Sequence, residues 1–493
     1  MTTRLPQIPS TSTAAVVQAL AADPAHAPVR HLYIHVPFCF HKCHYCDFYS
    51  LVDTRDRQQP FTDRLRRELD ALAPLARGEP LRSIFVGGGT PTLLRPDLWQ
   101  QLLDTLDSAF DLSAVRAGTA EFSVECNPET ATPELFDTLR AGGVNRLSMG
   151  AQSFDPKHLK TLERWHDPAS VERAVGLARD AGISRTSIDL IFAIPGQTLP
   201  EWEADLDRAF ALGTTHLSCY ALTYEPNTAM TARLKRGDFA PTDEDLEADM
   251  YERTVERCAA AGLGRYEVSN FAAPGHECAH NLAYWRQASW LAAGPSASSN
   301  LRTASPEPEQ PDVHLPQPGA GAFQPPQSGA GAFQPPQSGA EAFQPPSPGE
   351  RTFQPPVPGR TAFQPAGTAE RTFRPSNTNT PPPASWRWKN QPRLDDYLNR
   401  DDHGHPHAVD IEHPDATRFL GETLMTGVRL REGLDLERVL RSFDETTAAA
   451  VRDVAAAQID RGTLLQDGNR IRPTDSGFLV ADGIAREFLG VLW

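Results

Sequence analysis

Between His31 and about Cys219 the sequence alternates short β-rich runs with longer helical patterns. That alternation predicts an α/β protein whose main domain is a partial (β/α)6 barrel of parallel strands. Two further observations complete the fold class. Glycine-rich and polar sequences fall at the C-terminal ends of the runs, where sheets of this kind offer a ligand its site. After a long proline-rich interruption, helical patterning returns from Trp386 and closes with a small hairpin and a last helix, which predicts a mainly helical, winged-helix-like C-terminal domain.

Residues 1–30 read as an N-terminal tail. Arg4 followed by Ala14 to Ala22 has the outline of a signal peptide, but Gln18 breaks the apolar run and a cysteine-rich loop follows soon after, so secretion is not expected. The barrel and its linker region are assigned to residues 31–300. Its six strands are Leu32 to Val36, Ser83 to Val86, Glu121 to Cys126, Arg146 to Met149, Thr186 to Phe192 and His216 to Ala221. Between them, Thr132 can cap a helix that opens with Pro133, and Leu135 and Leu139 share its buried face. Val171, Ala174, Val175 and Ala178 form a similar stripe, which Gly182 is placed to stop.

Residues 301–384 differ in kind. Phe323, Phe333, Phe343, Phe353, Phe363 and Phe373 recur every ten residues, most within Ala-Phe-Gln-Pro-Pro or a close variant. Frequent proline removes backbone donors and blocks helix, so an extended or disordered insertion is expected. It reads as a tolerated surface expansion rather than a peptide ligand, since one aromatic per decapeptide cannot build a core. Residues 385–493 form the C-terminal domain. Its helices are expected around Ala416 to Gly427, Leu434 to Ser442 and Thr447 to Arg461, its hairpin at Thr463 to Gln466 and Arg470 to Arg472, and its last helix near Asp475 to Leu489.

Composition narrows the setting. The 493 residues exceed one ordinary core, and 47 basic against 63 acidic residues leave a net charge of -16. That excess opposes binding to nucleic acid or to an anionic membrane surface. No run of apolar residues is long enough to span a bilayer, so membrane contact is expected only peripherally, through partners. The seven cysteines, at 39, 43, 46, 126, 219, 258 and 278, do not form a disulfide framework and suit a reducing cytoplasm.

Chemistry concentrates first in Cys39-Phe-His-Lys-Cys43-His-Tyr-Cys46. Three thiolates on one tight loop can hold three irons of a four-iron cluster and leave the fourth open to a small molecule. A zinc site would need a fourth ligand, for which His41 and His44 are candidates, and plain buried thiols are a third reading; the spacing favours iron–sulfur. Phe38, Phe40, Tyr45 and Phe48 are expected to form a hydrophobic shell around the cluster. The second motif, Val86-Gly-Gly-Gly-Thr-Pro-Thr92, ends a strand with glycines that let backbone approach a ligand, while Thr90 adds a hydroxyl. It has neither dinucleotide-site spacing nor a phosphate-loop ending. Glu125, Gln152 and Asp189 stand at equivalent strand ends, and their recurrence points to one shared cavity.

Taken together, the Cys-x3-Cys-x2-Cys loop and Gly-Gly-Gly-Thr-Pro resemble the radical S-adenosylmethionine (SAM) superfamily. Tyr33-Ile-His-Val-Pro-Phe-Cys, Glu125-Cys-Asn-Pro-Glu, Asn145-Arg-Leu-Ser-Met-Gly-Ala-Gln-Ser-Phe and Ile188-Asp-Leu-Ile-Phe-Ala-Ile-Pro-Gly-Gln-Thr closely resemble its HemN/HemW branch. The resemblance covers about His31 to Ser299 and resumes at Trp386. It implies that Cys39, Cys43 and Cys46 hold a [4Fe-4S] cluster whose open iron takes SAM. It also implies SAM contacts from Tyr33, Gly88, Gly89, Glu125 and Ala221, while Tyr45, Thr90, Gln152, Arg164 and Asp189 match a second SAM site in the coproporphyrinogen enzyme.

Within the branch, HemN-type dehydrogenases carry another cysteine two residues after the third. Here that place is Phe48, a departure that resembles HemW, as does His280-Asn-Leu-Ala-Tyr-Trp285. The resemblance therefore implies a haem chaperone that delivers haem to acceptor proteins such as respiratory enzymes, without coproporphyrinogen III dehydrogenase activity. The alternative is that dehydrogenase or another radical SAM enzyme acting on a porphyrin-related substrate. His280, beside Tyr284 and Trp285, is the candidate haem contact.

Overall fold

The computed structural model describes residues 12–23, 26, 28–303, 384–400, 403–405 and 407–493. The decapeptide repeats therefore lie outside the described residues. In chain order the strands are β1 (His31–Val36), β2 (Phe38–Cys39), β3 (Leu51–Val52), β4 (Ser83–Gly88), β5 (Glu121–Cys126), β6 (Arg146–Gln152), β7 (Arg185–Phe192), β8 (His216–Ala221), β9 (Gly264–Arg265), β10 (Asn270–Ala272) and β11 (Leu291–Ala293). They form one nine-stranded sheet in the order β11-β1-β4-β5-β6-β7-β8-β10-β9, with β2 and β3 paired apart from it. The six expected strands, β1 and β4 to β8, are adjacent in sequence order and parallel throughout. Beyond them β11 adds a parallel strand to β1, while β10 and β9 run antiparallel at the other edge.

Alternation along each strand separates two environments. One face carries Leu32, Ile34 and Val36, Ile84 and Val86, Phe122 and Val124, Leu147 and Met149, and Ile188 and Leu190. These pack with Leu65, Leu69, Trp99, Leu102, Phe136, Val171 and Leu206 from the surrounding helices into a single core. The opposite, inner face is polar, with His31 and His35, Glu121 and Glu125, Arg146 and Ser148, Arg185 and Asp189, and His216 and Ser218.

At the base of the barrel many of these polar groups pair with one another, although the buried His31 and His280 Nε2, Arg146 Nη1, and Arg185 Nε and Nη1 have no hydrogen-bond partner among the described residues. Ser83 Oγ is hydrogen-bonded to Nδ1 of both His31 and His280, at 2.8 Å each. His216 bonds to Ser187 Oγ at 2.7 Å and to the Tyr266 hydroxyl at 2.9 Å. The buried Glu121 carboxylate pairs with Arg185 at 3.3 Å and accepts the backbone N–H groups of Ala279 and His280, which begin the short helix Ala279–Trp285. Burial opposes the ionisation of Glu121, but Arg185, Arg146 and these donors hold its carboxyl below the ordinary range.

Two features depart from the sequence expectation. The residues counted as a tail contain a helix, Thr13–Ala22, capped by the Ser12 side chain, and its Val16, Val17 and Leu20 are buried in the main core. Alanine is the strongest helix former, and the spacing of the three apolar residues makes one stripe, so a run with the outline of a signal peptide packs as an ordinary helix. The last helix is broken at Val480 into Asp475–Leu479 and Ala481–Gly490. Thr132 caps the helix Pro133–Ala141 as expected.

Two small sheets follow. One contains β12 (Ser298–Thr303), β13 (Ala384–Asn390) and β14 (Ala408–Glu412), and the other β15 (Leu434–Asp435), β16 (Leu464–Asp467) and β17 (Arg470–Pro473). The second sheet and the helices Ala416–Gly427, Glu445–Asp460 and Ala481–Gly490 share a core of their own, including Leu420, Leu424, Val451, Ile471 and Phe488. No described helix is long and apolar enough to cross a membrane.

The repeats leave from β12 and return into β13, and Thr303 and Ala384 are direct antiparallel partners. They are thus inserted at the tip of a hairpin. Replacing residues 304–383 by a two-residue Asn-Gly turn should leave the barrel intact and stabilise it by about 2–3 kcal/mol through the shorter loop. Thermal denaturation checks this, and a large fall in melting temperature would mean that the repeats contribute packing.

Candidate functional site

The C-terminal ends of β1 and β4 to β8 open into a cavity of about 460 Å³. Its wall contains Cys39, Cys43, Tyr45 and Cys46 from the loop after β1, Gly88 and Gly89 with Thr90 from the end of β4, and Glu125 from β5. Gln152 ends β6, Arg164 follows the helix Pro156–Leu162, Asp189 lies on β7 and Ala221 ends β8. Twelve of the fourteen residues expected at the site are therefore brought together here.

The cysteine loop is closed at its neck, where β2 and β3 pair Phe38 with Leu51 and Cys39 with Val52. Its backbone is tied further by His44 N–H to the Leu162 carbonyl at 3.3 Å and by Met230 N–H to the His44 carbonyl at 2.9 Å. The glycines serve close approach. Gly88 has φ +106°, and a Cβ there would lie 2.4 Å from the His35 ring; one on Gly89 would lie 2.7 Å from the Phe38 carbonyl oxygen. That proximity lets Thr90 donate its N–H to the Phe38 carbonyl at 2.7 Å and its hydroxyl to Cys39 Sγ at 3.7 Å.

The donor set fits a cluster better than a single ion. Around one zinc, thiolate sulfurs lie roughly 4 Å apart. Among the described residues, the group of three His, Cys, Asp or Glu ligand atoms found within 4.8 Å of one another is Asp155, His158 and Glu201, away from the cysteines. Neither candidate fourth zinc ligand turns inward. His41 stacks on Trp165, with centroids 4.2 Å apart and planes at 9°, and Nδ1 of His44 faces Arg233 Nη1 at 3.5 Å. Burial pushes the Cys46 thiol up to about 11, against the pull of Lys42. Such a thiol yields its proton to a metal rather than to water.

On the far wall, Glu125 Oε2 accepts the Gly88 N–H at 2.9 Å, and Asp189 accepts from Ser148 and Ser187. Burial, reinforced by the Asp189 charge, raises the Glu125 carboxyl to about 7. Burial also raises Asp189, although its serine donors and Arg146 oppose the shift. Gln152 has φ 65° and follows a register shift against β7, so a bulge turns it into the cavity. Arg164 donates to the Gly150 carbonyl at 2.9 Å and reaches Cys43 Sγ at 3.8 Å, while its buried Nε has no protein partner. Two carboxylates, an amide and a guanidinium can together read a cationic, hydroxyl-bearing ligand of SAM's kind.

Two expected residues are placed elsewhere. Tyr33 lies below the cavity, its hydroxyl 3.1 Å from His35 Nδ1, with its ring stacked on Phe85. His280 is only 2% exposed at the opposite end of the strands, stacked on Phe85 and edge-on to Tyr284. A histidine flanked by aromatics suits a porphyrin and suits a plug in the barrel base equally; here its Nδ1 bonds to Ser83 Oγ while its buried Nε2 has no protein partner among the described residues. The expected aromatic shell is also divided, since Phe38 is buried while Phe40 and Phe48 face solvent. Ser148, Cys126, Asn127, Tyr220 and Glu225 line the cavity without having been anticipated. The two-residue alternation of polar side chains in β6, β7 and β8 was the signal that could have found Ser148 and Tyr220.

The sequence matches the radical SAM superfamily over residues 33–209 and the HemN C-terminal domain over residues 415–480. It is 40% identical over 272 residues to the haem chaperone HemW of Mycobacterium tuberculosis (strain ATCC 25618 / H37Rv), covering 54% of this chain and 68% of that protein. To HemW of Escherichia coli (strain K12) it is 38% identical over 275 residues, covering 56% and 71% respectively. The structure of the coproporphyrinogen III oxidase HemN from Escherichia coli, a radical SAM enzyme, aligns with a TM-score of 0.68 at 21% identity over 97% of this chain and 93% of that one; this likeness speaks for the fold.

Two outcomes test the cavity. Gly88→Ala should cost about 2–4 kcal/mol, because it combines a left-handed backbone with a clash against His35, and should reduce cluster uptake. Chemical denaturation and iron content measure the two effects. Because the folded state favours protonated Glu125, it binds more protons than the unfolded chain between the ordinary carboxylate value and about 7, so stability falls as pH rises through that window. In cluster-free protein, Glu125→Gln should remove that loss, gaining on the wild type as pH rises and most above pH 7; parallel curves in urea denaturation would contradict the assignment.

Proposed function

The chain belongs to the HemN/HemW branch of the radical SAM superfamily and is most like HemW, and from that premise we propose that it is a cytoplasmic haem chaperone. It binds haem and passes it to acceptor haemoproteins such as respiratory enzymes, while Cys39, Cys43 and Cys46 hold a SAM-binding [4Fe-4S] cluster.

The observation that carries the reading over the dehydrogenase is Phe48. It occupies the position, two residues after Cys46, where HemN-type enzymes have a further cysteine. The rest of the cavity is consistent with this. Arg164, a basic residue on the cavity wall, is committed to the Gly150 carbonyl and lies against Cys43.

When bound, the cluster and SAM supply one-electron chemistry at the sulfonium. The chain's own part is positioning. Gly88 and Gly89 bring the backbone close enough for a ligand to lie against the end of β4, and Glu125 and Asp189 offer carboxylates to its ammonium, sulfonium and ribose hydroxyls. Gln152 and Arg164 close the side facing β6. The raised Glu125 carboxyl favours a cationic ligand, because a positive charge nearby offsets the burial that holds it protonated.

Anaerobically reconstituted protein should give a haem Soret band on titration, transfer haem to an apo-acceptor, and leave coproporphyrinogen III unconverted. Replacing Cys39, Cys43 and Cys46 together by Ala should abolish the cluster absorption. Decarboxylation of coproporphyrinogen III without haem binding would sink the proposal.

A further inference from the structure

Haem needs a surface it can reach, and His280 is enclosed in the base of the barrel. Building on the chaperone reading, we propose that haem docks flat on the aromatic rim of the cysteine cavity, against Phe48, Phe40 and Trp165, with a propionate on Lys42.

Three large rings stand in solvent at this rim: Phe40 is 72% exposed, Phe48 63% and Trp165 60%. Side chains of this size are ordinarily covered, and a group of them at the mouth of a cavity marks a binding surface. The cysteine loop links them. Phe40 and Phe48 belong to the cysteine loop, Trp165 stacks face to face on His41 of the same loop, and both His41 and Phe48 line the cavity mouth.

The rings are held before any ligand arrives. Lys42 Nζ donates to the Phe48 carbonyl at 2.6 Å and to Ser50 Oγ at 2.8 Å, fixing the backbone that presents Phe48. Glu163 ends the helix Pro156–Leu162 in a left-handed conformation, φ 52°, and its carboxylate accepts the Trp165 indole N–H at 3.1 Å. A surface ordered in advance loses little freedom on binding.

Chemistry selects the occupant. A tetrapyrrole presents two broad apolar faces that stack on aromatic side chains, and two carboxylates at one edge. Lys42 is exposed, contacts only neutral oxygens through Nζ, and forms no ion pair among the described residues. Although its charge also acts on Cys46, it can meet a propionate on a chain whose net charge of -16 otherwise repels a dianion. Phe48 adds a point specific to this branch: where the dehydrogenase loop has a thiol, this loop has an outward-facing phenyl ring.

The test is haem titration of the full-length, cluster-reconstituted protein, followed by the Soret band and by tryptophan quenching. Phe40→Ser with Phe48→Ser should weaken haem binding by about tenfold or more without changing cluster absorption, since neither exposed ring supports the fold. Lys42→Gln should weaken it several-fold, most at low salt, and Trp165→Phe should preserve affinity while removing part of the quenching. If the wild type binds haem and the double variant binds it equally well, this placement is overturned and the chaperone reading stands. Normal haem binding with lost transfer would instead make the rim a docking face for the acceptor protein, which also overturns it. A wild type that binds no haem overturns both.

Discussion

The inner face of the barrel has almost no aliphatic side chains, and that constraint organises everything around it. Buried polar groups must find partners, and the two ends of the strands meet the requirement differently. At the base the protein is its own partner: Glu121 meets Arg185 and the start of the helix Ala279–Trp285, and Ser83 joins His31 to His280. At the top the carboxylates of Glu125 and Asp189 and the unsatisfied Nε of Arg164 surround open space. One end of the strands is thus filled by the chain's own side chains, and the other is lined by polar groups around a cavity.

Much of this was legible in the sequence because it is local. Each of the six strands is a β-rich run, and a parallel sheet places their ends together whatever the loops do, so Cys39, Gly88, Glu125, Gln152 and Asp189 could be assigned to one cavity from their positions alone. What depended on long-range packing was not legible. The role of Glu121 requires knowing that residues 279–285 return to the base of the barrel, and the same return buries His280 there. The helix Thr13–Ala22, despite its Ser12 cap, is not separated from a leader-like apolar run until the core that covers Val16 and Leu20 is present.

The cysteine loop shows how two properties can be joined in one segment. Its interior side delivers thiols to the cavity, under hydrogen bonds from Thr90 and Arg164. Its exterior side delivers rings to solvent. Tyr49, at the end of the loop, carries the connection further: its carbonyl contacts His35 Nε2 at 2.7 Å, and its hydroxyl accepts the Leu394 N–H, also at 2.7 Å, from the segment that follows the repeats. That segment is seated on the helix Gln58–Leu72, where the buried Glu68 accepts from Tyr397 and Asn390. The loop, the barrel wall and the start of the C-terminal region are therefore one mechanical unit.

The hairpin of β12 and β13 has a consequence for how such a chain can change over generations. Because Thr303 and Ala384 already face each other across the ladder, the distance to be bridged is the same however many decapeptides intervene. A tandem array of coding units is prone to gain or lose whole copies when it is replicated. At this address each such event keeps the reading frame and disturbs no strand pairing, so copy number is free to drift between lineages while the cavity, built by a different sheet, is inherited unchanged.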